Sequence, residues 1–354
     1  MSRQRTLSLA AFGIALATIA AARPAFAGRN DLKLVNLCPQ VSAAALGVQE
    51  CGWVKRDANG MIQRVEPDSQ GLSDFRSLMS ELGVVMAPRI HMPADTLGFA
   101  GFQIDGQLSF TQISNSRGFW NGVSTVSPQA PNSSRPDAVL TTLGVFARKG
   151  IWLPLPSFEV GGGVVNLLNS QMLAWQAYAK LGLHEGYHDL PIPSLAVRAA
   201  IAYLTGTDQV NLSTTSFDVL LSKGFGFLKT TRLEPFGGWS LIVIKASGKP
   251  VDFTPLCDAH ALAQTASGQP ENAYCAPAQR DTTNDLKANY AFPAKDAITR
   301  YRVFGGAKLK FGILAIIAQY ELYLAGNSRD LSVTPAVDQS DRQSVLSLGA
   351  GLSF

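Results

Sequence analysis

Charged residues are scarce in this sequence. Lys, Arg, Asp and Glu make up 16% of its 354 residues, whereas ordinary soluble domains carry about 25%. The hydrophobic fraction is 46% and the mean hydropathy is +0.10, which excludes an intrinsically disordered chain. Only one apolar run approaches the roughly 20 residues that a transmembrane helix needs, and it lies at the N-terminus. The composition therefore excludes a helical membrane protein with several spans.

The N-terminus has the three parts of a secretory signal peptide. Arg3 and Arg5 form a basic start, a 16-residue apolar stretch follows, and Ala25-Phe26-Ala27 is a cleavage site of the small-x-small type. We expect residues 1–27 to be removed. The three arginines of this segment leave with it, so the mature chain has 27 basic and 26 acidic residues. A net charge of +1 gives no reason to expect a nucleic-acid partner.

The four cysteines fall into two pairs that are close in sequence, Cys38 with Cys51 and Cys257 with Cys275. An exported chain can keep disulfides. Three connectivities are possible, and the local one is favoured because some 200 residues separate the pairs. Neither pair has the Cys-x-x-Cys spacing of a zinc site. We therefore expect two disulfides that staple loops, with no metal and no cofactor.

Residues 28–82 differ from the rest of the mature chain. They contain one cysteine pair, a polar turn over 57–60, and apolar residues at helical spacing between Ser73 and Leu82. These features predict a small N-terminal unit, either a plug or a periplasmic segment. The remaining residues, 83–354, are assigned to a second domain.

From about Leu97 onward, the hydrophobic pattern repeats every two residues. In the last strand the apolar positions are Leu346, Leu348, Ala350, Leu352 and Phe354, and the intervening positions are mostly Gly or Ser. Segments of about ten residues with this repeat are typical of a membrane barrel. A soluble β-sandwich also alternates. Here, however, the polar face combines Arg and Lys with Gly and Ser, as a crowded barrel lumen would.

The signal peptide, the alternating strands and the ending Gly-Leu-Ser-Phe together resemble the outer-membrane β-barrel proteins of Gram-negative bacteria. The resemblance covers roughly residues 97–354. In that family the barrel ends in an aromatic residue that follows apolar residues at alternate positions. The end of this chain resembles that pattern, which implies a signal for the barrel-assembly machinery. The positions that match are Leu348, Ala350, Leu352 and Phe354. The resemblance implies a location in the cell outer membrane, with outer-membrane lipids and the assembly machinery as partners.

The predicted fold is all-β: a transmembrane antiparallel up-and-down β-barrel of about ten strands, with a small N-terminal cap or plug. The predicted strands are 97–113, 138–149, 155–168, 171–183, 194–204, 210–223, 231–246, 298–310, 312–325 and 343–354. A further strand over Gly83–Met92, paired with the N-terminal segment, would make twelve. If the first strand runs outward, the three longest connections, 114–137, 247–297 and 326–342, are extracellular, as barrels of this kind require.

Thirteen charged residues occupy positions predicted to face inward. They are Asp105, Arg148, Glu159, Lys180, Arg198, Asp218, Arg232, Glu234, Arg300, Arg302, Lys308, Lys310 and Glu321. One interpretation is a lattice of salt bridges that stiffens the barrel, because buried charges are tolerated only when paired. The other is a polar path for small solutes with a mild preference for anions. The four basic residues between 300 and 310 are its best support.

Three further patterns carry little chemistry. His184-Glu185-Gly186-Tyr187-His188 matches the zinc motif H-E-x-x-H, but strand patterns and prolines flank it, whereas the motif needs a helix. Asp258-Ala259-His260, in a long outer loop, suggests a hydrolase at the rim only by analogy with the ten-stranded omptin-type proteases. Trp152, Trp175, Trp239, Tyr203 and Tyr323 are expected to form the aromatic girdles of a membrane barrel.

From these observations we expect a non-enzymatic outer-membrane barrel that passes or binds small solutes or apolar ligands. Two alternatives stay open. The first is an outer-membrane hydrolase acting at the rim. The second is a structural or adhesive barrel that acts through its extracellular loops while its lumen is closed.

Overall fold

The structure is a computed structural model that describes residues 28–43, 48–58, 62–124, 135–152, 157–185, 192–227, 230–254, 286–294, 296–330 and 335–354. The predicted signal peptide lies outside the described residues. So do the Cys257–Cys275 pair, the Asp258-Ala259-His260 triplet and His188.

The wall of the molecule is a closed antiparallel barrel of ten strands, each paired with the next along the chain. These strands are β5 (Phe102–Gln112), β6 (Val139–Ile151), β7 (Phe158–Leu167), β8 (Leu173–His184), β9 (Ser194–Thr205), β10 (Val210–Ser222), β12 (Thr231–Gly248), β15 (Ile298–Phe311), β16 (Leu314–Tyr323) and β17 (Gln343–Ser353). Pairing of β17 with β5 closes the barrel. The short strand β11 (Phe225–Phe227) pairs only with β12. The predicted count of ten is confirmed, and no twelve-stranded barrel forms.

The remaining elements are small and lie in the N-terminal unit and the loops. They are β1 (Gln40–Ala43), β2 (Val48–Cys51), β3 (Val54–Arg56), β4 (Ile62–Val65), α1 (Ser69–Val85), β13 (Val251–Asp252) and β14 (Asn289–Tyr290), with 3₁₀ turns at Leu34–Leu37, Gly118–Gly122 and Leu286–Ala288. Within the described part of the chain, no helix is long and apolar enough to cross a membrane.

Apolar side chains cover the outside of the wall. Trp175, Tyr203, Trp239 and Tyr320 are 43–53% exposed on the outer face, whereas the polar residues between them are buried inside. An apolar exterior on a closed, even-stranded antiparallel barrel is the architecture of an outer-membrane protein. The expected fold and location are thus confirmed. The prediction that Tyr323 belongs to an aromatic girdle is wrong. Its side chain is fully buried, because it faces inward, as Glu321 two residues earlier does.

The register fixes the tilt of the strands. A path around the wall can be drawn by stepping from each residue to the residue directly opposite it on the next strand. A path that starts at Lys245 on β12 returns to the same strand at Leu233, so the stagger of the barrel is twelve residues. A stagger of this size requires strands tilted by roughly 35–45°. A ten-stranded barrel is also narrow, so that inward side chains fill much of its interior.

Residues 28–85 form a cap over one end of the barrel. Helix α1 begins after Asp68, whose side chain accepts a hydrogen bond from Gly71 N at 2.8 Å, and ends at Val85. It contains the predicted helical segment Ser73–Leu82, and its buried residues include Phe75, Leu78, Met79 and Leu82. The disulfide Cys38–Cys51 is present, as predicted. The cap and the loops beneath it share the larger apolar core.

The chain then passes through the barrel before the wall begins. Residues 86–97, here called the threaded segment, form no strand and lie inside the lumen. The segment starts beside Gln176, near the first residues of β8, and ends beside Glu159, near the first residues of β7. These two positions lie at opposite ends of the barrel, since consecutive strands are antiparallel. The wall starts at Phe102, so residues 83–101 are not a barrel strand.

Candidate functional site: the barrel interior and the cap

Inward side chains of the wall satisfy the backbone of the threaded segment. Near the cap, Gln176 donates to the carbonyls of Met86 and Ala87 at 3.3 and 3.1 Å, and its carbonyl accepts from Arg89 N at 3.0 Å. Arg198 donates to Arg89 O at 2.7 Å. A chain without secondary structure needs such partners when it is buried, because an unpaired backbone group is costly.

The half of the threaded segment that is farther from the cap is held in the same way. Lys180 donates to the carbonyls of Pro93 and Asp95 at 3.2 and 3.0 Å. Ser222 accepts from Ala94 N at 3.1 Å, and Glu159 accepts from Leu97 N at 3.0 Å. The neighbouring strands β7, β8, β9 and β10 therefore contribute to one continuous set of contacts.

A cluster of ion pairs lies near the middle of the barrel. Arg302 is fully buried and contacts Asp218 at 2.8 Å and Glu321 at 3.2 Å, and it also donates to Pro88 O at 3.1 Å. Arg198 contacts the other oxygen of Asp218 at 2.7 Å. Four predicted inward charges thus neutralise one another while two of them hold the threaded segment.

A second cluster lies at the end of the barrel opposite the cap. Glu159 contacts Lys180 at 3.3 Å and Arg148 at 3.5 Å, and it accepts a hydrogen bond from the Tyr178 hydroxyl at 2.8 Å. The carboxylate is fully buried, as is Lys180. Tyr178 fits there because Gly161 on the neighbouring strand has no side chain; a Cβ at that position would lie 2.5 Å from the tyrosine ring.

The remaining predicted charges occupy the two rims and the wall. Arg232 is half-exposed and contacts Asp95 at 2.7 Å and Glu234 at 3.7 Å. Lys308 donates to Gln103 at 3.1 Å, and Lys310 donates to Ser353 at 3.3 Å. Asp105 accepts from Gln103 at 3.0 Å.

Arg300 serves the cap rather than the lumen. It donates to Ser80 of α1 at 2.8 Å and to Ser340 at 2.6 Å. The four basic residues between 300 and 310 therefore have four separate sets of partners and do not form one basic track.

One cavity inside the barrel, beside the threaded segment, is small. It has a volume of about 10 Å³ and lies between Arg89, His91, Asp105 and Arg148, which is room for about one water molecule. The salt-bridge interpretation of the inward charges agrees with this packing. Several buried polar atoms beside the threaded segment nevertheless form no hydrogen bond with the residues that the structure describes. They are Arg89 Nε and Nη1, His91 Nδ1 and Nε2, Asp95 Oδ1, and Arg148 Nε and Nη1.

Apolar and aromatic contacts help to hold the cap to the barrel, beside several hydrogen bonds. Phe292, from the loop after β14, stacks on Phe75 of α1 with ring centroids 4.2 Å apart, and Trp53 lies 5.5 Å from Phe253. The cap contacts every connection at its end of the barrel, through Val123, Asn169, Gln209, Phe292 and Ser340. It thus lies across the mouth of the barrel.

One carboxylate is buried at this junction. Glu81 of α1 accepts from Trp120 Nε1 at 2.7 Å and from Ser114 N at 3.0 Å. Burial raises the pKa of Glu81, and the hydrogen bonds from Ser114 and Trp120 oppose that shift.

The cap also has an open cleft of about 380 Å³, a size typical of small-ligand sites. Its polar lining includes Asn36, Gln40, Asp68, Asp74 and Asn121, and it has no basic residue. The cleft is much larger than the water-sized cavity inside the barrel.

The zinc motif has a different role in the structure. Glu185 accepts hydrogen bonds from Thr96 N at 2.8 Å and from Ser157 Oγ at 2.7 Å, so it anchors the threaded segment. His184 ends β8 rather than starting a helix. Among the described residues no group of His, Cys, Asp and Glu could hold a metal ion.

The C-terminal strand is placed as its pattern predicts. Leu348, Ala350 and Leu352 lie on the outer face, and Phe354 is 65% exposed. The backbone of Phe354 exchanges two hydrogen bonds with Phe102, at 2.8 and 3.1 Å. The role of this strand as an assembly signal stays a prediction.

Sequence reasoning missed the threaded segment and the neutral side chains that hold it, Gln176, Ser222 and Gln319. Gln319 accepts from His91 N at 3.0 Å. Two prolines, Pro88 and Pro93, were the available signal, because proline is excluded from the interior of central strands. They argue against a strand over 83–92.

No protein-family model matches this sequence, and no curated protein matches it. Among solved structures it is similar to the attachment invasion locus protein Ail of Yersinia pestis, with 11% identity, a TM-score of 0.24, and coverage of 72% of this chain and 99% of that one. It is also similar to Neisserial surface protein A, with 11% identity, a TM-score of 0.25, and coverage of 72% and 97%. A third is the translocator domain of the autotransporter NalP from Neisseria meningitidis, with 11% identity, a TM-score of 0.28, and coverage of 81% and 96%.

Proposed function

We propose that this protein is a sealed outer-membrane barrel that presents its N-terminal cap at the cell surface. The observation that carries the proposal is the path of the chain. The cap lies at the end with the long connections, and the threaded segment then runs through the lumen to the other end. Long loops face outward in outer-membrane barrels, whereas the opposite turns are short. The cap is therefore extracellular and not a periplasmic segment.

In this role the barrel is an anchor and the cap is the working surface. The cap and the surrounding loops bind a partner outside the cell, with the cleft around Asp68 and Asp74 as the place of contact. Among the inward charges that were candidates for a solute path, five contact the threaded segment and help to hold it in place: Glu159, Lys180, Arg198, Arg232 and Arg302. The proposal corresponds to a structural or adhesive barrel, and no step of it requires catalysis.

Labelling of intact cells tests the position of the cap. Single cysteines are placed at Lys55 in the cap and at Ile313 in the two-residue turn at the other end, both of which are exposed. The background carries Cys257→Ser and Cys275→Ser. A membrane-impermeant maleimide is expected to label K55C in intact cells, and I313C only after the outer membrane is permeabilised. The opposite pattern would place the cap in the periplasm and overturn the proposal.

Solute passage is a second candidate function, and the unpaired polar atoms of Arg89, His91 and Arg148 favour it. Such atoms are costly in a permanently closed interior, so a displaced segment with water in the lumen would satisfy them. The sealed barrel predicts no steady conductance of the full-length protein in a planar bilayer.

A locked variant separates the two functions. Ala94 N lies 3.1 Å from Ser222 Oγ, so A94C with S222C would tie the threaded segment to the wall. Conductance of the wild type that disappears in the oxidised double variant and returns on reduction would support solute passage. The wild type, treated with the same reductant, is the control.

A further inference from the structure

The outer face of the barrel is almost free of charge. The outward positions of its ten strands carry two lysines, Lys149 on β6 and Lys245 on β12, and no Asp, Glu or Arg. Both lysines are exposed, and neither forms a hydrogen bond or ion pair with the described residues. They lie at opposite ends of the wall. Lys149 is opposite Phe102 at the short-turn end, whereas Lys245 is near the end of β12 below the cap.

Lys245 belongs to a row of hydrogen-bonding side chains that runs across three strands. Ser213 on β10 is directly opposite Lys245 on one side and Tyr203 of β9 on the other. Neighbouring strands are about 4.8 Å apart, so the row presents an ammonium group and two hydroxyls within about 10 Å. Asn211 and Ser247, which are opposite each other, lie one step nearer the loops.

The row lines a cleft of about 350 Å³. Ala294 and Ala297, from the loop before β15, complete the cleft on the side of the cap. Toward the membrane centre the same strands present Ile201, Phe217, Leu241 and Val243 on the outer face. A molecule in the cleft would therefore meet donors at one end and a lipid-facing apolar wall at the other.

We propose that this cleft binds the phosphorylated headgroup of a lipid in the leaflet at the cap end of the barrel. A phosphate oxygen accepts charge-assisted hydrogen bonds from an ammonium group, and the hydroxyls of Tyr203 and Ser213 add neutral donors. The acyl chains then lie along the apolar wall below. Lys149 has no such row, because its neighbour across the sheet is Phe102. The site is independent of the cap and of its proposed display role.

Lipid binding to the full-length protein in micelles tests the site. The probes are phosphatidic acid, diacylglycerol with the same acyl chains, and inorganic phosphate. The variants are K245Q and, as the matched control, K149Q, each checked for a folded barrel by its heat-modifiable migration. A juxtamembrane lysine contributes about 1 kcal/mol to binding an anionic lipid, which is about five-fold in affinity. Phosphatidic acid is expected to bind K245Q about that much more weakly than the wild type or K149Q.

The other two probes and a third variant complete the test. Diacylglycerol is expected to bind all three proteins equally weakly, and S213A is expected to lose about three-fold in phosphatidic acid binding through one neutral hydrogen bond. Equal binding of phosphatidic acid to K245Q and K149Q would overturn the proposal. Lys245-dependent binding of inorganic phosphate as strong as that of phosphatidic acid would also overturn it, since the site would then recognise the free ion and not a lipid.

Discussion

The cap and the interior of the barrel are in contact along the chain, but the two regions are held together by different interactions. The cap has an aromatic and aliphatic core around Phe75, Leu78 and Phe292, with a disulfide at its edge. The interior has Glu159, Asp218 and Glu321, each paired with buried cations. A hydrophobic core tolerates small changes of shape, whereas a buried ion pair tolerates no loss of one partner. Substitutions should therefore damage the two regions to different extents.

The largest effect is expected in the interior, from Glu159→Gln. The variant removes the carboxylate that pairs directly with Lys180 and Arg148 in a fully buried site. Loss of one partner of a buried pair costs about 3–5 kcal/mol, and we expect a fall of that order in the free energy of unfolding, measured with urea in micelles. The control is Glu66→Gln, which breaks the exposed pair with Arg64 and should cost no more than about 1 kcal/mol. Equal effects would contradict the proposed role of the interior pairs.

A smaller and more local effect is expected from Leu78→Ala in α1. Leu78 is fully buried in the core of the cap, and removing a buried leucine side chain costs about 2–5 kcal/mol. Proteolysis of residues 28–85 should accelerate, while the barrel keeps its resistance to unfolding. Val41→Ala, at an exposed position of the cap, should leave proteolysis unchanged. Loss of barrel stability in L78A would show that the two regions unfold together.

The smallest effect concerns pH. Burial raises the pKa of Glu81, so the folded cap binds this proton more tightly than the unfolded chain does. The stabilisation is complete below the unfolded pKa and is lost as the pH rises through the folded pKa. Glu81→Gln keeps an acceptor for Trp120 but cannot ionise. Between pH 4.5 and 8, protease resistance of the cap should fall with rising pH in the wild type and stay level in the variant; parallel curves would exclude Glu81 as the cause.

The same contrast explains what the sequence could and could not predict. The wall was predictable because each strand, such as the one ending in Leu348, Leu352 and Phe354, alternates over its whole length. The alternation along each strand places the charged residues inside the barrel, but it does not show their partners. The salt-bridge lattice was therefore predictable only as one of two interpretations. The girdle position predicted for Tyr323 is wrong, because its parity with Glu321, and not its place near a strand end, determines the face on which it lies.

The threaded segment was not predictable from any local pattern. Its backbone partners, such as Gln176, Lys180 and Ser222, come from strands that are distant in sequence, so the segment itself shows no period. The position of the cap was likewise undetermined, because its contacts are with loop residues such as Phe292 that are far along the chain.

The threaded segment also determines an order of events during assembly. It joins a folded cap at one mouth of the barrel to β5 at the other, and β5 pairs with β17 to close the wall. A ten-stranded barrel is narrow inside, so residues 28–85 can cross only while they are unfolded or before the seam between β5 and β17 forms. Crossing comes first, closure and cap folding follow, and afterwards the segment can leave only if the cap unfolds or the seam opens. The lifetime of the threaded arrangement is therefore set by an unfolding rate and not by the strength of any single contact.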